Sequence, residues 1–520
     1  MKTALALLAL LVTTPASAAR YAGRPLVDAL HDLERRGLHL IYSSEVIQPE
    51  LTVREEPRSS EPRAILDELL RQHRLHAVPG PRDTLVIVHD EAPRQGNAAK
   101  TASAAMPVAV DQIIVTPSHF GMLGSQPEQR QFLSRQDVRA MPHFSDDIYR
   151  AINRIPGSAT NDVSANFNMR GGAQDEVEVL LDGVQIYQPF HVKDLFSAFS
   201  MLDAEVMGSV DVLSGGFPAE YGGRLSGVID IASLTPDERR TEVGVSMLNS
   251  RVLSAGSFRD GRGQWLFSFR PGYLHEVLRI VNQKTGLDPS YYDLFGKVQW
   301  RLSDATIVSA NVLVSHDRLR LNDSDIQAHS RSADQYLWLN ARSALTPRLF
   351  SQNVISAGSI SDQRQGVFVE QNEHGALSEQ RSFRFAALRN DTTFNLTDRQ
   401  KIKAGFRVEH VHADYDFVAD ALQQFAVFHG GLPNVVDRAV TLRPSGNDAA
   451  AYVADRVAIR PDFVIEAGLR ADWESYTPDG THVLPRLNAG WAVTPSTSIR
   501  AAWGRFAQPQ RVEELQVEDG

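Results

Sequence analysis

From about Thr241 onward, apolar and polar residues alternate with a period of two. Leu294, Gly296, Val298, Trp300 and Leu302 share one face of a run, while Lys297, Gln299 and Arg301 share the other. Ser303-Asp304 supplies a tight turn, after which Val308, Ala310, Val312 and Val314 oppose Ser309, Asn311 and Ser315. The pattern predicts a hairpin that is apolar outside and polar inside. Further turns are expected near Thr346-Pro347, Thr397-Asp398, Pro461-Asp462 and Thr494-Pro495, separated by longer polar stretches such as 318–332 and 371–380. Short turns on one side and long loops on the other match the two rims of a membrane barrel. Leu274 to Val281 reads as a short helix within an outer loop. A soluble β-sandwich is the competing reading, and the tall strands argue against it.

The N-terminal part has a different texture. Met1-Lys2, the apolar run Ala4–Val12 and the small residues Pro15-Ala16-Ser17-Ala18 make residues 1–19 a secretory signal, cut after Ala18 or Ala19. In residues 20–90, Leu26, Ala29, Leu30 and Leu33 recur at helical spacing, as do Ile65, Leu66, Leu69 and Leu70 behind Pro62. Strands are expected at Leu38–Tyr42, Leu51–Val53, Leu75–Val78 and Thr84–Val88. This α+β module resembles the secretin/TonB short N-terminal (STN) domain. His31, His39, His73, His76 and His89 have no ligand-type spacing with carboxylates and read as ordinary polar positions.

Residues 91–119 form a polar, Ala/Pro/Ser-rich linker. It carries Asp111-Gln112-Ile113-Ile114-Val115-Thr116-Pro117, a β-branched run suited to adding a strand to another protein's sheet edge. The first strand of the next domain is the alternative. In residues 120–235 glycine-centred motifs follow in order: Asn168-Met169-Arg170-Gly171-Gly172, then Leu180-Leu181-Asp182-Gly183-Val184, Pro189-Phe190-His191, and Tyr221-Gly222-Gly223-Arg224-Leu225-Ser226-Gly227-Val228. Glycines this dense permit close backbone packing and positive φ.

With these motifs in register, residues 111–231 resemble the TonB box and plug of a TonB-dependent outer-membrane receptor. The resemblance implies a fold of α+β N-terminal module and plug followed by an antiparallel transmembrane β-barrel over 236–520. It makes residues 111–117 the TonB box, with Ile113, Ile114, Val115 and Thr116 as its core. It makes Arg170 and Arg224 latch residues that approach barrel carboxylates, with an ordinary solvated arginine as the alternative for each. Gly171, Gly172, Gly183, Gly222 and Gly223 are its motif glycines, and Asp182 is expected to cap its turn. The implied partners are TonB with its inner-membrane energising complex, an extracellular ligand such as a ferric siderophore, outer-membrane lipid, and an anti-sigma regulator if the N-terminal module signals. The implied location is the outer membrane, with the N-terminal domain in the periplasm.

Composition narrows the field. Lys+Arg 53 against Asp+Glu 63 gives a net charge of −10, which disfavours nucleic acid as a partner. The absence of cysteine excludes disulfides, thiolate metal sites and cysteine nucleophiles. Beyond the signal no apolar run approaches the ~18–20 residues of a membrane helix. His275-Glu276 lacks the second histidine of a zinc-protease helix, and Gly223–Gly227 places its serine one position late for a nucleophile elbow. No enzyme activity and no cofactor are expected. His410, His412, Asp414 and Asp416 alternate along one strand and form the single comb of weak metal-ligand candidates. Their parity matches the apolar Ile402, Ala404, Phe406 and Val408, so either a bulge near Glu409 shifts the phase or the strand leaves the bilayer there. Finally, roughly a dozen strands follow the plug, against about 22 in plugged outer-membrane transporters. The chain ends at Val517-Glu518-Asp519-Gly520 without an amphipathic strand or a terminal aromatic residue. The expectation is therefore a partial barrel from a piece of a longer protein or a truncated product, with a small barrel unable to hold its plug as the alternative.

Overall fold

The computed structural model describes residues 21–515 except 37, 42–50, 58, 60, 74, 80–83, 90–129, 142–146, 160–163, 196, 237, 260, 282–285, 371–372, 424–433, 478–479 and 495–496. The segments expected to be a signal (1–19), a linker (91–119) and, within it, a TonB box (111–117) lie outside the described residues. The chain divides into two compact units, Met1–Ala104 and Ala105–Gly520.

In the first unit, helices α1 (Leu26–Arg35) and α2 (Pro62–Arg71) accompany a three-stranded sheet of β1 (His39–Ile41), β2 (Leu75–Pro79) and β3 (Thr84–His89), in the order β1-β3-β2. The periodic residues of both helices are the core: Leu26, Ala29, Leu30, Leu33, Leu66, Leu69 and Leu70 are fully buried. Leu51–Val53 differs from its expected strand. It forms a single bridge, Thr52 to Pro25, because its backbone bonds the turn that leads into α1 rather than the sheet.

The second unit opens with a mixed five-stranded sheet. Its strands and small satellites are β4 (Arg130–Ser134), the pair β5 (Ser158–Ala159) and β6 (Asn168–Met169), β7 (Val177–Leu181), β8 (Val184–Gln185), the pair β9 (Phe190–His191) and β10 (Phe199–Ser200), β11 (Met207–Leu213) and β12 (Gly227–Ser233), the main sheet running β4-β11-β12-β7-β8. Every residue of β7 is buried, as a strand with packing on both faces requires. Asp182 and Gly183 both have positive φ, 51° and 88°, which identifies the type I′ turn joining β7 to β8. The Asp182 carboxylate does not cap that turn. It reaches across to Ser233, accepting from its amide at 2.8 Å and its hydroxyl at 2.6 Å.

A 14-stranded antiparallel sheet follows. It comprises β13 (Arg240–Val245), β14 (Ser250–Phe258), β15 (Gly263–Gly272), β16 (Leu287–Ser303), β17 (Thr306–Asn322), β18 (Ile326–Thr346), β19 (Leu349–Glu370), β20 (Glu373–Thr397), β21 (Gln400–Gln423), β22 (Asn434–Leu442), β23 (Ser445–Arg460), β24 (Phe463–Glu474), β25 (Thr481–Thr494) and β26 (Thr497–Gly504). The sheet is not closed: among the described residues β13 and β26 each pair on one side only. β22 and β23 act as one stave interrupted at Arg443-Pro444, since together they pair along β21. The helix Leu274–Val281 forms as expected between β15 and β16. No described helix is long and apolar enough to cross a membrane.

Alternation along the strands sets inside against outside. Lys297, Gln299, Ser309, Asn311 and Ser315 are buried, whereas Val298 and Leu302 are 52 % and 63 % exposed. The buried polar face receives the five-stranded domain, and one apolar core runs through both, joining Val184, Ile186 and Tyr187 to Tyr336, Trp338, Phe383 and Phe385.

Candidate functional site

The site is the surface where the inner domain meets the strands. Two short segments of the inner domain make its polar grip, and each is rich in groups that need a partner once buried.

The first segment is Pro189–Asp194. His191 is completely buried, and its ring bridges two strands: Nδ1 lies 2.9 Å from Asp317 and Nε2 3.1 Å from Asp293. Arg270 donates to the same Asp293 at 2.8 Å and to the Ser200 carbonyl at 2.7 Å, so the cluster ties β9 and β10 to β15, β16 and β17. Tyr291 covers the imidazole at 4.3 Å between ring centroids. Next along the chain, Lys193 pairs with Asp334 at 3.0 Å and Asp362 at 3.6 Å. Burial opposes protonation of His191, but the charge of Asp317 and the bonds to both aspartates outweigh it and raise its pKa to about 9. The folded imidazole therefore holds its proton more tightly than the unfolded one. Its contribution is complete below the ordinary 6.5 and is lost as pH rises through about 9. Raising the pH from 7 to 10 is expected to loosen the inner domain by up to about 3 kcal/mol, seen as increased protease cleavage of residues 130–235. In His191→Gln this step should vanish; a step of unchanged size there would assign it to other groups.

The second segment is Phe217–Arg224. Arg486 donates to the carbonyls of Phe217, Pro218 and Tyr221, the last at 2.6 Å, and Arg470 donates to those of Ala219 and Glu220 at 3.3 Å each. Lys403 binds the Glu220 carboxylate at 2.6 Å. Burial opposes ionisation of Glu220, and the charges of Lys403, Arg130 and Arg456 more than offset it, leaving the carboxyl below its usual range. Just before the first segment, Tyr187 donates to Glu409 at 2.8 Å while its backbone exchanges hydrogen bonds with the Tyr336 hydroxyl.

The motif residues fall as follows. Arg224 is buried and pairs with Glu514 at 2.9 Å, in the segment that follows β26. Arg170 is exposed, at φ 49°, with its backbone amide bonded to the Gly157 carbonyl. Gly172 lies against Ser226 and Gly222 against the Arg470 guanidinium, so neither has room for a Cβ. Gly223 has φ +71° and meets Arg511, and Gly171 turns at φ +81°. The His410 comb points outward: β20 and β21 pair in unbroken register through Glu409, so no bulge shifts the phase. Arg384 and Arg443 hold the Asp414 carboxylate, Arg443 also holds Asp416, and His410 bonds Asn447. Among the described residues no group of three or more potential ligands gathers around a metal position.

Residues 123–228 match the TonB-dependent receptor plug domain, and residues 248–516 match the TonB-dependent receptor-like β-barrel. The chain belongs to the TonB-dependent receptor family. The inner domain is its plug and the large sheet its barrel wall, an architecture of the outer membrane whose family is one of non-catalytic transport receptors. Solved structures share the fold. The unliganded ferric citrate transporter FecA matches at 16 % identity and TM-score 0.51, over 73 % of this chain and 63 % of its own. The ferripyoverdine receptor of the outer membrane of Pseudomonas aeruginosa matches at 13 % and 0.57, over 92 % of this chain and 69 % of its own. The siderophore receptor PirA from Pseudomonas aeruginosa matches at 14 % and 0.52, over 74 % and 62 %. The chain thus spans less than two thirds of the length of FecA and PirA. A comparison with curated protein sequences gives no match.

Sequence reasoning missed His191, Lys193, Arg470 and Arg486. The available signal was phase: Arg470 and Arg486 are lone cations on lumen-facing positions, flanked by the outward Leu469, Ala471 and Leu487. For His191 the glycine-poor Pro189-Phe190-His191 stood out, but nothing local named Asp293 and Asp317 as its partners.

Proposed function

We propose that this receptor takes a scarce extracellular ligand, a ferric siderophore, across the outer membrane, driven by the inner-membrane proton gradient through TonB. The observation that carries the reading is the plug's seating. Its rims are held by charged groups, His191, Lys193, Glu220 and Arg224, each facing an opposite charge on the barrel or the segment after it. Buried ion pairs add little net stability compared with an apolar contact, yet removing one partner is costly. A plug held this way is fixed at rest and can exchange its partners for water when pulled. The TonB box at Ile113–Thr116 is the handle, and Arg170 and Arg224 are assigned as plug latch residues, Arg224 through Glu514. Siderophore as the ligand class is supported by the solved receptors that share the fold, among them one bound to ferripyoverdine.

A second reading concerns the N-terminal unit, which we assign as an STN domain over residues 20–90. It has its own core and is a separate compact unit, as a relay to a periplasmic anti-sigma regulator requires. The match to the ferripyoverdine receptor covers 92 % of the chain and so must extend into this unit. Deleting residues 20–90 tests both readings in one strain. Uptake of radioactive iron from a siderophore panel should persist and be abolished by a protonophore, while siderophore-induced transcription should disappear. Accumulation indifferent to the protonophore would sink the transport reading. Unchanged transcription would sink the signalling one.

A further inference from the structure

The outer wall of the barrel carries a basic patch that the plug does not use. β17 and β18 pair in unbroken register from Thr306–Ser343 to Asn322–Gln327. Ser315, Asp317, Asp334 and Tyr336 are buried on the lumen side, so alternation turns His316, Arg318, Arg320, His329 and Arg331 outward. Arg318 stands directly opposite Arg331, and Arg320 directly opposite His329. Like charges so placed repel and weaken a sheet. Among the described residues none of the three arginines has a hydrogen-bond or ion-pair partner, and the Arg318 Nε is buried without one.

The surrounding groups do not neutralise the patch. His329 bonds Gln365 at 2.9 Å, and His316 packs against the Tyr292 ring at 5.5 Å. Asp288 is set opposite Arg320 by the register of β16 but forms no ion pair with it among the described residues. Asp317 faces inward to His191, and Asp323 and Asp325 lie in the turn above.

Depth identifies the partner. Trp300 and Tyr292 lie on the outward face of β16, separated by roughly 27 Å along the strand at ~3.4 Å per residue. Tilted by ~35–45°, this stretch rises roughly 19–22 Å, most of the height of an apolar band of about 25 Å bounded by aromatic girdles. Between them the wall presents Val298, Leu337 and Leu339, all strongly exposed. Tyr292 pairs with His316, so Arg318 and Arg331 sit one outward position above the girdle, on the long-loop rim. That is the headgroup level of the outer leaflet.

We infer that Arg318 and Arg331 grip the phosphate of a phosphorylated glycolipid of the outer leaflet, with Arg320 and His329 flanking it. Paired guanidinium forks suit a phosphate, and the apolar wall below accepts the acyl chains. The inference requires the outer-membrane location but not the transport reading. It is tested by native mass spectrometry of the full chain purified in detergent, with three probes: bisphosphorylated lipid A, lipid A stripped of phosphate, and inorganic phosphate. The double variant Arg318→Gln/Arg331→Gln is expected to retain phosphorylated lipid A at least about tenfold less than the parent protein. Arg348→Gln, at the opposite rim, should retain it normally. Equal retention by parent and double variant would overturn the inference. So would equal retention of the phosphate-free lipid, or displacement of lipid A by millimolar inorganic phosphate. Unheated gel mobility reports folding. Should the double variant migrate abnormally, the exposed single change Arg331→Gln carries the test, with a loss of about threefold expected.

Discussion

Ile114→Pro is expected to reduce energised uptake to background, a loss of about a hundredfold or more, while ligand binding at the cell surface stays within about twofold. Ile113, Ile114, Val115 and Thr116 are β-branched, favour extended backbone and offer side chains to both faces of an added strand. Strand addition depends on main-chain hydrogen bonds. Proline removes one donor and restricts its preceding residue, so the register on TonB's sheet edge breaks at its centre. In the proposed reading the ligand binds from the other side of the membrane, so its binding should not sense the change. Radioactive-iron uptake and surface binding, measured on the same cells, separate the two effects. Uptake that persists in this variant would remove Ile113–Thr116 from the role of handle.

Gly222→Ala should strongly loosen the plug. The new Cβ would collide with the Arg470 guanidinium, which is buried and committed to the carbonyls of Ala219 and Glu220 and to Asp472. Moving it leaves a buried cation and two carbonyls short of partners. Overpacking and lost hydrogen bonds together should cost about 3 kcal/mol of plug seating. The readout is protease cleavage of the plug with the barrel still migrating as a folded species. Gly366→Ala is the control, since a Cβ on Gly366 meets its neighbours at ordinary contact distance, 3.5 Å or more. Equal behaviour of the two variants would show that the Tyr-Gly-Gly-Arg turn is not a fitted contact.

The two predictions draw on different kinds of information. The handle at Ile114 is proposed from the sequence alone, because strand addition needs only a short run of suitable residues and no tertiary neighbour of its own chain. Gly222 was legible as a motif glycine, but its reason was not. The close approach comes from Arg470, far along the chain, and no local pattern links them. The same holds for His191, whose neighbours Asp293 and Asp317 arrive from β16 and β17. Asp182 shows a local expectation overridden. Aspartate before glycine ordinarily serves its own turn, yet here Ser233 on β12 offers a better pair of donors. The His410 comb shows the reverse, because the unbroken register of β20 and β21 keeps the parity set by Ile402 to Val408 and turns the comb outward.

Periodicity by itself determined the staves, their short turns, which face turns outward and the apolar faces of α1 and α2, because those depend on neighbours two to four positions away. The motif order determined the plug and its type I′ turn, since backbone φ is a local property. Only the tertiary structure decided which charges meet: His191 with two aspartates, Arg224 with Glu514, Arg470 and Arg486 with plug carbonyls, and Arg318 with Arg331. A charge has no periodicity to betray its partner, and its energy is set by burial and by what the folded chain brings within a few ångströms.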